Sequence, residues 1–429
     1  MKNKTLIIIS VIVILLIGAG TYYYLFMYKP DDTTTGTGTG TGTNPTFNPF
    51  GGDSGGGGNS TSTPRATPTP FIFASTTNPN IPKLRLISAD PVAGAVASTT
   101  GSSTIIRYID RGLGNIMETK VTGTDVTRIS DKTFSQIYEA FWSKKAQSLV
   151  IRNLAENDEN TVNTEFLSII DPKPVKIGTT TVLATSTIKN VRVSYVPTGV
   201  VAVANSPKDV KNESFAFLVK TNPGVKGFIQ DTVTGNVVEV FSSPLESWNL
   251  FWPNQNTLIL SSKASSISVG SAYTYDIKKA EMTKIVSGAG LTVLPNGDMS
   301  EIALSTTAPG GILTLSIYKT KEKTVENTVF KTLVEKCTWG TVESKTLYCA
   351  VPNIIPDGIY PDDWYKGLVF PGDRVWKYDT ETGEVTMIGD LYSLSGKAID
   401  AYNVSIDPKD GYLIFMNKRD LSLWSLEIK

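Results

Sequence analysis

Phe251-Trp252-Pro253-Asn254-Gln255-Asn256-Thr257-Leu258-Ile259-Leu260 reads as a strand, a polar turn and a second strand. Apolar and aromatic residues before the turn and aliphatic ones after it suit a half-buried antiparallel pair. Pro-Asn-Gln-Asn supplies the reversal. A lone hairpin has nothing to bury its apolar face against and is marginal in water. A fold follows only if the unit repeats.

It repeats seven times. Leu294-Pro295-Asn296-Gly297 leads into Ile302-Ala303-Leu304, and Asp407-Pro408-Lys409-Asp410-Gly411 into Tyr412-Leu413-Ile414-Phe415. Looser copies are Phe141-Trp142-Ser143-Lys144-Lys145 before Leu149, Ser206-Pro207-Lys208-Asp209 before Phe215, Thr338-Trp339-Gly340 before Leu347, and Thr100-Gly101-Ser102 before Ile105. Most neighbours lie about 42–46 residues apart, the length of a four-stranded propeller blade.

A second hairpin follows each first one. Tyr378-Asp379-Thr380-Glu381-Thr382-Gly383-Glu384 runs into Val385-Thr386-Met387-Ile388, Tyr275-Asp276-Ile277-Lys278 into Met282, and Gln230-Asp231-Thr232-Val233-Thr234-Gly235 into Val237. Two hairpins give four strands per blade. The predicted fold is all-β, a seven-bladed propeller over residues 83–429. The last copy ends at Leu423-Trp424-Ser425-Leu426, a third strand without a fourth. Leu84-Arg85-Leu86-Ile87-Ser88 precedes the first copy and matches the blade-ending strands, so it is predicted to complete the last blade and hide its edge.

The N-terminus reads differently. Lys2 and Lys4 precede an uncharged apolar run from Leu6 to Tyr28. About 20 such residues span a bilayer as a helix, and the lysines belong on the cytoplasmic side. A cleaved signal peptide ending near Ala19 is the alternative, and both export the rest. Residues 1–4 are thus a cytoplasmic tip, 5–28 a transmembrane helix and 29–82 a flexible Thr/Gly/Ser/Pro-rich linker. Such a linker buries too little apolar surface to offset its ordering entropy. The propeller is expected outside the cytoplasmic membrane on a single-pass anchor.

Composition narrows the chemistry. Lys plus Arg equals Asp plus Glu at 40 each, so no basic excess points to nucleic acid. There is no histidine, which removes the commonest general base and metal ligand. No cofactor is expected. The two cysteines, Cys337 and Cys349, flank one hairpin and fall opposite one another when its turn centres near Glu343. They are predicted to form a disulfide in an oxidising compartment. Trp142, Trp252, Trp339, Trp376 and Trp424 sit at strand positions and are expected to pack between blades.

The turns at Pro253, Pro295 and Pro408 resemble the Trp-Ser-Pro-Asp-Gly hairpins of TolB-like propellers of the bacterial envelope. The region from Lys83 onward, with Tyr138-Glu139-Ala140-Phe141-Trp142, Glu335-Lys336-Cys337-Thr338-Trp339 and Tyr360-Pro361-Asp362-Asp363-Trp364-Tyr365, also resembles membrane-anchored propellers of uncultured bacterial lineages. The resemblance implies fold and location and brings no activity with it.

Two gaps between copies are longer, about 64–68 residues, with extra residues near Asp171–Ser186 and Asn353–Gly372; insertions of this kind are expected to extend loops on one face. The second insertion gathers Asp357, Tyr360, Asp362, Asp363, Trp364 and Tyr365. Rings beside carboxylates suit a sugar, a peptide or a cation. The plain alternative is that Trp364 and Tyr365 pack the loop down and the aspartates form turns. Calcium at Asp357, Asp362 and Asp363 is a third reading. Glycoside cleavage needs a second carboxylate, for which Glu335 or Asp373 would serve. The expectation is a non-catalytic envelope binding or scaffold module whose partner is an envelope protein or glycan. The alternatives are a carboxylate-dependent glycan-active enzyme and a structural component of an envelope complex.

Overall fold

A computed structural model describes residues 81–429, except 156–157, 172–174, 178–179, 183–188, 208–211 and 309–310. The apolar run and nearly all of the linker lie outside the described residues. Among the described residues no helix is long and apolar enough to cross a membrane.

Seven four-stranded antiparallel sheets form the blades. Blade one comprises Val92–Thr100, Ser103–Asp110, Ile116–Lys120 and Val126–Arg128. Blades two to six follow in the same consecutive order from inner to outer strand, starting at Ile137, Val200, Trp248, Thr292 and Cys337. Blade seven contributes Ala401–Ile406, Tyr412–Asn417 and Leu423–Glu427 from the C-terminus, and its outer strand is Leu84–Ser88. The registers Leu84↔Leu426, Arg85↔Ser425 and Leu86↔Trp424 close the ring as the sequence predicts. The Glu427 N–H donates to the Lys83 carbonyl at 2.9 Å and extends the seam.

Apolar residues on successive strands bury themselves between blades, so the core is a ring of wedges. Ala204, Ala216 and Leu218 of blade three meet Trp248, Trp252 and Leu260 of blade four. The expected tryptophan packing is found. The Trp142 indole donates to the Gly94 carbonyl at 3.1 Å and the Trp339 indole to the Leu294 carbonyl at 2.9 Å, each reaching the preceding blade. Gly94 is required there: a Cβ would stand 2.1 Å from the Ala140 carbonyl oxygen.

Strands alternate in direction, so first–second and third–fourth turns lie on one face. Second–third loops and inter-blade links lie on the other, called here the upper face. The lower face is fastened by buried polar contacts between blades. Asp410 accepts from the N–H groups of Thr341, Val342 and Glu343 at 2.7, 2.9 and 2.9 Å. Thr380 donates to Glu301 at 2.6 Å. Asp407 caps its own turn by accepting from the Gly411 and Tyr412 N–H groups and is buried.

The two insertions do not share a face, which corrects the sequence expectation. Residues 171–189 link the third and fourth strands of blade two and include the small hairpin Val175–Ile177 with Thr180–Val182. Residues 353–372 link the second and third strands of blade six on the upper face. Spacing reveals extra length; the face depends on which pair of strands it separates. Cys337 and Cys349 lie directly opposite in register with Cα atoms 4.1 Å apart and form the predicted disulfide.

Candidate functional site

The blade-six insertion is a strap lying across the upper face. Helix α1, Asp362–Tyr365, forms its middle. Asp362 reaches blade four, where Ser265 Oγ donates to it at 2.7 Å, the Ser266 N–H at 2.8 Å and Ser266 Oγ at 2.9 Å. Burial opposes ionisation of Asp362, but the bonds from Ser266 and Ser265 hold its pKa below the ordinary value. Thr307 of blade five donates to the Tyr360 carbonyl at 2.8 Å. The strap therefore bridges three blades.

Beneath α1 lies an ionic knot. Lys336, 1% exposed, binds Asp373 at 2.8 Å and also Asp400. The Trp364 indole donates to the other Asp400 oxygen at 2.9 Å. Asp373 and Asp400 are buried as fully as the lysine. Burial pushes Asp373 up to about 6; Lys336 opposes this and Asp400 adds to it. An ionic group this deep must be paired, and removing one partner would strand the other.

The structure divides the six predicted loop residues. Trp364, 3% exposed, and Tyr360 are buried and anchor the strap. Asp362 is committed to blade four, and Asp363 accepts from the Ile359 N–H at 2.8 Å. Tyr365 is partly exposed and donates to Glu335, whose pKa burial raises. Asp357 is exposed. Among the described residues no group of three His, Cys, Asp or Glu is placed to hold a metal ion.

Beside the knot, Lys418 lies 4.9 Å over the Trp364 ring and 6.0 Å over the Tyr402 ring. Burial lowers its pKa, and no carboxylate pairs with it among the described residues. Tyr402 stands on the innermost strand of blade seven, its pKa pushed up to about 12 by burial, with the charges of Arg111 and Glu139 acting across from blades one and two. Glu139 is held by Arg152 at 2.9 Å. Lys418 and Tyr402 thus lie together beside the strap, and Arg111 acts on Tyr402 from blade one while its Nε donates to the Ile137 carbonyl at 3.2 Å. Two open clefts of about 300 and 410 Å³ lie apart from the strap, one between blades five and six at Glu301 and Lys345, the other in blade two at Asn153 and Glu165.

Sequence reasoning missed Lys336, Asp400, Lys418, Tyr402 and Arg111. A signal existed for two of them. Lys336 and Asp400 each immediately precede an innermost strand, at Cys337 and Ala401, so equivalent blade positions bring them to the same height in neighbouring blades.

No protein-family model and no curated protein sequence matches the chain. Solved propellers resemble it in fold. An oligogalacturonate lyase from Vibrio parahaemolyticus superposes with a TM-score of 0.53 at 11% identity, over 83% of this chain and 96% of that one. An oligogalacturonate lyase in complex with manganese gives 0.52 at 10% identity, over 83% and 96%. The β-propeller domain of the Trilobed protease from Pyrococcus furiosus gives 0.48 at 10% identity, over 79% and 96%. The two lyase likenesses show the fold alone.

Proposed function

We propose that this chain is a non-catalytic binding module of the cell envelope, tethered by residues 5–28 and displaying the blade-seven and blade-one side of its upper face to an envelope glycan or protein. The observation that carries the reading is how the strap spends its acids. Asp362 and Asp363 accept structural hydrogen bonds. The close pair Asp373 and Asp400 is buried on one lysine. Glu335 accepts from Tyr365 and from Thr292, which leaves Asp357 as the exposed acid of the strap, and glycoside hydrolysis generally needs two carboxylates flanking an open bond. The Lys418 ammonium, by contrast, forms no ion pair among the described residues. It is framed by the Trp364 and Tyr402 rings, and the charge of Arg111 reaches Tyr402 from blade one. Such a set suits an anionic or hydroxyl-rich group, with aromatic surface for stacking. A rigid strap also avoids much of the ordering cost of binding.

Capture from solubilised envelope with the full chain as bait tests this. Ligand should be retained by wild type and by the lower-face variant Glu381→Lys, and lost with Lys418→Glu. Equal capture by all three would remove Lys418 from the account.

A further inference from the structure

The upper face over blades four to six carries large aliphatic side chains bared at loop tips. Ile267 is 90% exposed, Ile354 80% and Val269 75%, and Val329, Leu368 and Ile312 are also more than half exposed. All lie on the upper face, where Asp362 ties the strap that carries Ile354 and Leu368 to the serines beside Ile267, and Tyr360 ties it to blade five. Lys263, Lys331 and Lys366 are exposed among them. None has an ion-pair partner among the described residues, and Asp357 is the exposed acid within the strap.

We propose that this patch is a lipid-contacting surface that seats on an anionic bilayer. Its composition separates lipid from a protein partner. Protein interfaces concentrate energy in Trp, Tyr and Arg anchors and are depleted in Lys. This patch offers separate aliphatic tips interspersed with lysines, the combination by which peripheral proteins bury apolar groups at the headgroup boundary while cations meet anionic lipids. The knot beneath α1 holds the strap that carries Ile354 and Leu368, so little of its order is lost on contact. The proposed anchor at residues 5–28 would keep the patch at high effective concentration near a membrane, so weak insertion suffices. The inference rests on that anchor only for proximity.

The test uses the full chain with a protease site placed between Thr33 and Ser62, reconstituted into phosphatidylcholine vesicles containing roughly one-third phosphatidylglycerol. Flotation of uncut chain reports the anchor, and flotation after cleavage reports the patch. The severed propeller should stay with the vesicles. Ile267→Asp with Ile354→Asp should release it, and so should Lys263→Glu, Lys331→Glu and Lys366→Glu together, with the partition constant falling on the order of five-fold per unit of charge and each reversal counting two units. The variants should melt as wild type does, since the altered side chains are exposed. Release of the wild-type propeller on cleavage, or retention of both variants at its level, overturns the proposal. Failure of even uncut chain to float refutes anchor and patch together.

Discussion

Leu84 lies directly opposite Leu426 in blade seven, so the first strand of the propeller is the outer partner of its last. Both side chains are buried. Deleting residues 83–88 should therefore expose the edge of Leu423–Glu427 and cost cooperativity as well as stability. Deleting Thr33–Ser62 should leave the melting curve unchanged. Thermal unfolding of both deletions checks this, and equal melting would contradict ring closure as a stabilising device.

Trp364→Ala removes a buried ring and the donor to Asp400 together. The expected cost is about 3–5 kcal/mol, as for large aromatic truncations in cores. Chemical denaturation measures it. A loss below about 1 kcal/mol would mean that the strap is not anchored through this ring.

Asp373 gives stability a distinct pH dependence. Its folded pKa of about 6 exceeds the ordinary 3.8 because burial outweighs Lys336, with Asp400 adding to the rise. Between those values the folded state holds more protons than the unfolded one, so this group's contribution falls as pH rises through that window. The difference corresponds to on the order of 3 kcal/mol. Asp373→Asn should accordingly gain on wild type from about pH 4 to pH 6 and keep that gain above it. Carboxylates held low by hydrogen bonds, such as Asp362, act below this window and are shared by both proteins. Melting temperature against pH for the pair is the measurement; a relative loss for the variant across the window would show that Lys336 dominates.

The disulfide closes a loop of 12 residues between Cys337 and Cys349. On the chain-entropy account, reduction should lower stability by at most about 3 kcal/mol. Alkylation of freshly isolated protein without reductant should label neither cysteine, and labelling of both would show that the bond does not form in the cell.

The blades were legible because each copy carries its own turn chemistry, and Phe251–Leu260 or Asp407–Phe415 can be read locally. The disulfide was legible for the same reason, since both cysteines sit on one hairpin. The strap was visible as excess length, yet its internal division was not. Trp364 is buried because Asp400 stands 36 positions later in the chain, and Lys336 meets that same aspartate across 64. Such pairings depend on how neighbouring blades pack, which no local pattern encodes. The facing of the two insertions was hidden likewise: it follows from strand count, whereas the spacing of Asp171–Ser186 reports only length.

The non-catalytic reading is tested most directly by presenting carboxylate-bearing envelope glycan to the full chain and following binding and bond cleavage in the same sample. The account predicts saturable binding that Lys418→Glu weakens at least ten-fold, about 1.4 kcal/mol, with no new chain ends formed. New chain ends produced by wild type and abolished by Asp357→Asn would contradict it.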